Sequence, residues 1–306
     1  MAAPAQRPAL GIALVFLMAA CFASMDSLTR HLGSTLALPV LLIMWARYSV
    51  QAVGMAVWLG LAGSFRSAHP RFQLLRGLLL LATSAMSFFG VQYMPVAEFT
   101  SINMLTPVVV TLLAAMLLHE QVSPLRWTLV IGGFAGALIV MRPGSGLFGW
   151  AVLFPLAGAL CYASFQVLTS KLSSLENPLT THFYTGLTGS LLLSALLLLG
   201  PWSVWPQLLA APAWQWGLLL IVGLLGTTGH LLLILSLGLA PTATLMPFSY
   251  AQIAFAAAIG WFAFDHAPDG FAWLGMAVVS ACGAAAAWLN VREKQQAAVS
   301  TDTIAD

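Results

Sequence analysis

The sequence predicts an all-α polytopic membrane protein with ten transmembrane helices arranged as two inverted five-helix repeats. Hydrophobic residues make up 60% of its 306 residues and charged residues only 7%, against roughly 25% charged in an ordinary soluble domain. The apolar runs are long and unalternating, which favours helices over barrel strands. A nine-residue pattern also recurs 140 positions later. So few polar side chains exclude a soluble enzyme, a nucleic-acid binder and a disordered scaffold.

The individual helices are delimited by prolines and glycines in short connectors. The first apolar run contains Cys21 after Met18-Ala19-Ala20, but it lacks the usual leucine of a lipoprotein cleavage box and continues past the cysteine. We therefore interpret it as an uncleaved helix. The expected spans are residues 10–29, 39–62, 74–93, 96–118, 125–141, 147–170, 179–199, 214–238, 241–264 and 271–290. Residues 291–306 form a polar tail that we expect to be disordered.

The distribution of basic residues predicts the orientation. With a cytoplasmic N-terminus, eight Lys and Arg side chains fall inside and two fall outside, while Arg47 lies within the second span. Basic loops stay in the cytoplasm, so both termini are expected there. This bias is typical of a multi-pass protein of the bacterial inner membrane.

The repeat sets the domain organisation. Residues 21–29 read CFASMDSLT and residues 161–169 read CYASFQVLT, with five of nine positions identical. The second and seventh spans both begin at a proline, Pro39 and Pro178. Residues 1–145 form the expected first repeat and residues 146–290 the second. Because five spans are an odd number, the second repeat must cross the membrane with inverted polarity, a common feature of secondary transporters.

Several motifs in this order resemble the drug/metabolite transporter superfamily, specifically its EamA-type carriers. They are the duplicated first span, Trp45-Ala-Arg47, and the fourth-span pattern Ala97…Pro107…Glu120. Within the superfamily the chain is similar to amino-acid exporters of the YddG type. The resemblance implies that helices 1, 3, 4, 6, 8 and 9 surround a central cavity, that helices 2 and 7 are flanking gates, and that helices 5 and 10 are peripheral.

Polar and aromatic side chains inside apolar spans are the candidate substrate-binding residues, because polar groups are costly in lipid unless they have a partner or face water. Ser84 and Phe88 share a face of the third span, and Asn103 shares one with Pro107, which frees a carbonyl one turn earlier. For each stripe, helix–helix packing is an alternative reading. The remaining candidates are Tyr162, Gln166, His230, Phe248, Tyr250 and Gln252.

Other residues are assigned to gating and to structural charge. Trp45 is expected to plug the entrance, and Pro107 is expected to act in gating. Arg47 and Asp26 are expected to be structural charges, because the second span is predicted to stand outside the cavity wall and Asp26 lies near the end of its helix.

These features predict a secondary transporter that exports small metabolites by alternating access, most of all amino acids, including aromatic and apolar neutral ones. The alternatives are a drug or quaternary-ammonium/proton antiporter, a lipid-modifying membrane enzyme and a channel. No catalytic constellation, phosphate loop or metal-ligand spacing occurs in the sequence, so we expect no enzymatic activity, metal or cofactor. The expected partners are a small-molecule substrate and the lipid bilayer, with no nucleic acid and a monomeric chain.

Overall fold

The computed structural model describes residues 7–93, 102–141, 149–200, 204, 206, 209, 211–264 and 269–302. Within these residues the chain is helical and contains no strand. The first half contributes α1 (Pro8–Arg30), α2 (Val40–Ala62), α3 (Pro70–Tyr93), α4 (Thr106–Leu117) and α5 (Pro124–Met141). The second half contributes α6 (Leu153–Ser173), α7 (Pro178–Leu199), α8 (Ala213–Leu239), α9 (Thr242–Ser249), α10 (Ala251–Phe264) and α11 (Gly270–Asp302).

Six stretches of helix are long and apolar enough to cross a membrane. They are Pro8–Thr35, Val40–Leu61, Trp150–Ser173, Pro178–Leu199, Ala213–Leu239 and Thr242–Ala263. Shorter apolar helices cover Thr106–Leu117, Pro124–Ile139 and Gly270–Ala286. Large apolar side chains lie on the outer surface, with Leu61, Leu199 and Phe262 more than 80% exposed. Lipid is the solvent that suits such a surface, so the chain is a polytopic membrane protein.

Helices of one half pack against helices of the other. The principal pairs are α1 with α8, α3 with α6, α2 with α7 and α5 with α11. Further contacts join α2 to α8, α3 to α7, α4 to α6, α4 to α9, and α1 to both α9 and α10. Small residues permit close approach, as at Gly223, where an added Cβ would lie 2.5 Å from Val50. The core is therefore formed between the halves.

Two breaks occur in the helical backbone, at Met104–Leu105 and at Tyr250. Pro107 stands in the first turn of α4 after a turn at Met104 and Leu105, where the proline needs no N–H donor. α9 contains Pro247 and ends at Ser249, and α10 begins after Tyr250. In each break a hydroxyl satisfies a carbonyl three residues earlier: Thr106 donates to Asn103 at 2.6 Å, and Ser249 donates to Met246 at 2.6 Å. The carbonyl of Asn103 therefore has a partner within the chain.

The last helix is longer than the sequence predicts. α11 continues to Asp302 and thus includes most of the segment from residue 291 that we expected to be disordered. Local propensity explains why the helix extends into this segment. Residues 291–298 read VREKQQAA, which contains no glycine or proline and is rich in good helix formers that extend the preceding apolar helix.

Candidate functional site

A cavity of about 490 Å³ lies between the two halves. Side chains of α1, α2, α3, α4, α6, α8, α9 and α10 line it, together with Asn103 and Met104 in the turn before α4. Its deep wall contains Val15, Ser236 and Met246, which are at most 2% exposed. Asp26 and Val40, in contrast, are exposed at the end of the bundle where α1 ends and α2 begins. We call that end the mouth.

The lining of the cavity is mostly apolar. Five methionines line it, namely Met18, Met25, Met44, Met104 and Met246. Phe22, Tyr162 and Tyr250 add aromatic surface. Thioethers adapt their shape and make favourable contacts with aromatic rings, and apolar pockets with a few polar groups are typical of small-molecule sites. The cavity is thus suited to a ligand with a flat ring.

Two opposite charges lie in the same lining, and each is held by a neutral partner. Gln252 Nε2 donates to Asp26 Oδ2 at 2.9 Å, which joins α10 to α1. The Arg47 guanidinium donates to Ser84 Oγ at 3.3 Å and lies 4.7 Å from the centroid of the Tyr48 ring. Among the described residues neither charge forms an ion pair within 4.0 Å. A ligand can therefore approach both a carboxylate and a guanidinium.

The structure brings most of the predicted substrate-binding residues together. The lining includes Ser84, Asn103, Tyr162, Gln166, His230, Tyr250 and Gln252, and it also includes Pro107, which was expected to act in gating. Tyr250 contributes its ring, because its hydroxyl donates to the Met104 carbonyl at 3.2 Å. The side chain of Phe88 lies outside the described residues.

Phe248 and Trp45 do not lie where the sequence analysis expected them. Phe248 is 3% exposed and packs in the core, with its ring centroid 5.9 Å from that of Phe16, and it does not line the cavity. Its helix turns it away from the cavity, which the neighbouring Met246 and Ser249 line. The indole Nε1 of Trp45 donates to Ser194 on α7 at 2.9 Å. This bond keeps Trp45 at the α2–α7 contact and not at the entrance.

The expectation that α2 stands outside the cavity wall is also wrong. Val40, Met44 and Arg47 line the cavity at spacings of four and three residues, which place them on one helix face. Asp26 lies on the wall as well. Arg47 and Asp26, which were expected to be structural charges, therefore face the cavity while they also bond to neighbouring helices. The spacing places these three side chains on one face of α2, but it does not show whether that face borders the cavity, another helix or lipid.

Sequence reasoning missed the methionines and the apolar stripe of α1. Val15, Met18, Phe22 and Met25 recur at three- and four-residue intervals and all line the cavity. The periodicity was visible in the sequence. Because the whole helix is apolar, however, the pattern alone could not separate a cavity face from a face in contact with lipid.

A buried polar cluster lies outside the cavity lining, between α3, α6 and α7. Arg76 is 0% exposed, donates to Thr169 Oγ1 at 2.6 Å and to the Thr181 carbonyl at 3.1 Å, and also bonds Thr185. Its guanidinium lies 4.4 Å from the centroid of the Phe165 ring. These contacts hold α3 against the second half. The hydrogen bonds satisfy Nε and Nη1 and the Phe165 ring covers one face, whereas Nη2 forms no hydrogen bond among the described residues.

The end of the bundle opposite the mouth is closed by hydrogen bonds between the halves, and we call it the tied end. The Glu120 carboxylate accepts from the backbone N–H groups of Thr242 and Ala243 at 2.9 Å each. Glu176 Oε1 accepts from Ser67 Oγ and from the His69 backbone N–H at 2.7 Å each. Each glutamate thus binds the start of a helix in the other half, where the helix dipole favours a negative charge.

Among the described residues, no group of three or more His, Cys, Asp and Glu side chains is placed to hold a metal ion. The polar atoms of the lining suit reversible binding.

Comparisons with known proteins agree with this geometry. The profile of the EamA-like transporter family matches residues 9–142 and again residues 149–287. A riboflavin transporter of Vibrio cholerae serotype O1 is 27% identical over 269 residues, which cover 84% of this chain and 86% of that protein. A riboflavin transporter of Rhizobium johnstonii is 28% identical over 286 residues, 91% of each chain. An S-adenosylmethionine uptake transporter of Rickettsia prowazekii is 22% identical over 245 residues, 80% of this chain and 81% of that protein.

A solved crystal structure has the same fold. It superposes with a TM-score of 0.74 at 20% sequence identity and covers 94% of this chain and 97% of that chain. The architecture described above is therefore one already observed by experiment in another protein.

Proposed function

We propose that this chain, which belongs to the EamA-like transporter family, is a secondary carrier that moves a ring-containing, hydrogen-bonding metabolite by alternating access. As a member of that family it is a transporter and not an enzyme, as the sequence predicts. The observation that carries the proposal is a cavity between the halves with a mouth at one end and a tied end at the other. One chain builds the whole cavity, so we take the functional unit to be a monomer.

The contact pattern supports ten spans in two inverted repeats. In this scheme α9 and α10 together form the ninth span and α11 forms the tenth. Exchanging each span with the one five positions away turns the α1–α8 contact into α6–α3, and both exist. The α2–α8 and α3–α7 contacts exchange in the same way, and α2–α7 and α5–α11 map onto themselves. A pseudo-two-fold axis gives such a pattern, and it relates two packings of similar energy.

The two glutamates support alternating access. Glu120 is in the first half and binds the second, while Glu176 is in the second half and binds the first. Opening the tied end requires both links to break, and their loss must be offset by contacts that form when the mouth closes. The structure then corresponds to the state that is open at the mouth.

The distribution of basic residues supports an orientation with the tied end in the cytoplasm of a bacterium and the mouth outside the inner membrane. The test is reporter fusion. A fusion at Ser64, in the tied end, should report cytoplasm, and a fusion at Leu36, beside the mouth, should report the outside. The reverse result would contradict the orientation and leave the fold unaffected.

For the substrate we propose a compound in which a fused heteroaromatic ring carries a hydroxylated chain or sugar. Riboflavin and S-adenosylmethionine, named for the relatives above, both have this chemistry. A cavity of about 490 Å³ lies in the range of drug-sized ligands, and its methionines and aromatic rings suit a flat ring. Amino acids, which the sequence analysis favoured, stay as the second candidate, because Asp26 and Arg47 could bind an ammonium and a carboxylate.

Counterflow in proteoliposomes tests the proposal. Vesicles preloaded with unlabelled riboflavin, S-adenosylmethionine or an amino-acid mixture are offered the corresponding labelled compound, with and without a pH gradient. We expect accumulation of riboflavin or S-adenosylmethionine. Accumulation of amino acids alone would replace the proposed substrate class by the second candidate, and accumulation of none of them would refute both.

A matched pair of buried glutamines controls for folding. Gln166 lines the cavity, whereas Gln51 lies away from it and donates to the His182 carbonyl at 3.0 Å. Gln166→Leu should weaken counterflow at low substrate concentration, while Gln51→Leu should lower thermal stability and leave the affinity of the folded protein unchanged. Equal effects on transport would indicate that the cavity is not the site.

A further inference from the structure

His230 holds a fixed tautomer on the cavity wall. It lies on α8, is 4% exposed, and its Nδ1 is 3.1 Å from the Gly226 carbonyl oxygen. A carbonyl oxygen can only accept, so the hydrogen atom is on Nδ1, and the bond at one ring nitrogen sets the role of the other.

The second ring nitrogen, Nε2, is buried and forms no hydrogen bond with any residue that the structure describes. A charged ring would lie in an apolar wall with no carboxylate within 4.0 Å among those residues, and Arg47 lines the same cavity. Burying such a charge without a partner is costly. The ring is therefore neutral, and Nε2 presents a lone pair that accepts hydrogen bonds.

Neighbouring rings hold the imidazole in position. The centroid of Phe22 is 4.7 Å away at an interplanar angle of 67°, and that of Phe165 is 6.0 Å away. The approach of Phe22 depends on Gly229, where an added Cβ would lie 2.6 Å from the Phe22 ring. The acceptor is thus pre-organised, which lowers the entropic cost of binding.

A second acceptor in the lining shares this property. Asn103 Oδ1 is buried and has no hydrogen-bond partner among the described residues. His230 and Asn103 come from opposite halves of the chain and line the same cavity. A flexible chain with several hydroxyl groups supplies donors at separate positions.

We infer that His230 Nε2 accepts a hydrogen bond from a substrate hydroxyl group and so selects hydroxylated ring compounds over analogues that lack the hydroxyls. This inference rests on the proposed function. It assigns the ring of the substrate to the methionine and aromatic surface and its hydroxyl-bearing chain to the two acceptors.

Two flavins that differ only in the side chain test the inference. Riboflavin carries a ribityl chain with four hydroxyl groups, and lumiflavin has a methyl group there. Binding to the purified full chain in lipid nanodiscs is measured by the quenching of flavin fluorescence. His230→Phe keeps an aromatic ring against Phe22 and removes the acceptor. Riboflavin affinity should fall about 2- to 13-fold, the worth of one hydrogen bond, while lumiflavin affinity stays unchanged.

The control is the other buried histidine, His182 on α7, whose Nδ1 lies 3.1 Å from Gln51 Nε2, away from the cavity lining. His182→Phe should leave the ratio of the two flavin affinities at the wild-type value. An equal change of both affinities in His230→Phe, or no change, overturns the inference and leaves the proposed function standing. If the folded wild-type chain binds neither flavin, the proposed substrate class fails and the inference falls with it.

A second measurement covers the case in which His230→Phe does not fold. In the wild-type chain with ¹⁵N-labelled histidine, assigned by single substitution of each of the other five histidines, the Nε2 resonance of His230 should shift on addition of riboflavin and not of lumiflavin. The same response to both flavins, or none to riboflavin, overturns the inference.

Discussion

Glu120→Ala should open the tied end. The carboxylate accepts two hydrogen bonds of 2.9 Å from the first N–H groups of α9, and α9 belongs to the other half of the chain. Replacing a helix cap by alanine typically costs about 0.5–2 kcal/mol. Two bonds to a charged group suggest the upper part of that range. A loss of about 1–2 kcal/mol changes the equilibrium between the closed and the open tied end by about 5- to 30-fold. If the closed conformation is favoured by that margin, the open conformation becomes substantially populated in the variant.

Spin labels measure the opening. Gln121 and Ser174 are exposed at the tied end in different halves, and both can carry a label in a chain without its native cysteines. Double electron–electron resonance should give one short distance between the two labels in the parent protein and an additional longer distance in Glu120→Ala. Glu120→Gln keeps one acceptor oxygen and should give an intermediate population.

Asn177 provides the matched control. Its Oδ1 accepts from the Leu179 backbone N–H at 2.8 Å and caps α7 within a single half. Asn177→Ala removes a single-bond cap without cutting a link between the halves, so it should lower stability and leave the distances unchanged. Our reasoning would be refuted by an unchanged distance distribution in Glu120→Ala, or by the same opening in Asn177→Ala.

Two further predictions concern packing. Gly229→Ala places a Cβ 2.6 Å from the Phe22 ring, so overpacking should lower the stability by about 1–3 kcal/mol in thermal unfolding. In the control, Gly238→Ala, the nearest neighbour of the new Cβ would be 3.6 Å away, so the stability should stay unchanged. Trp45→Phe removes the hydrogen bond to Ser194 and should lower the free energy of unfolding by about 0.5–1.5 kcal/mol while transport stays unchanged. A loss of transport at normal stability would instead support a gating role for Trp45.

The sequence identified candidate site residues where a polar side chain lies within an apolar membrane span. Asn103, Gln166 and Gln252 stand out because a neutral amide in an apolar span needs a partner or water, and all three line the cavity. Phe248 shows the limit of this reasoning. An aromatic residue is equally stable against a ligand or against Phe16, so only the rotation of its helix decides between them.

The sequence by itself determined that lipid surrounds the protein and that its spans are helical. Helical membrane architecture follows from composition and the length of apolar runs, because backbone groups in lipid must be satisfied within each segment. Which faces meet was decided by tertiary structure. Arg47 became part of the cavity wall when α2 packed between α7 and α8, and Glu120 found its partners 122 and 123 residues away at the start of α9. In an almost uniformly apolar chain the periodicity carries little information about neighbours, so shape complementarity and a few long-range polar contacts select the packing.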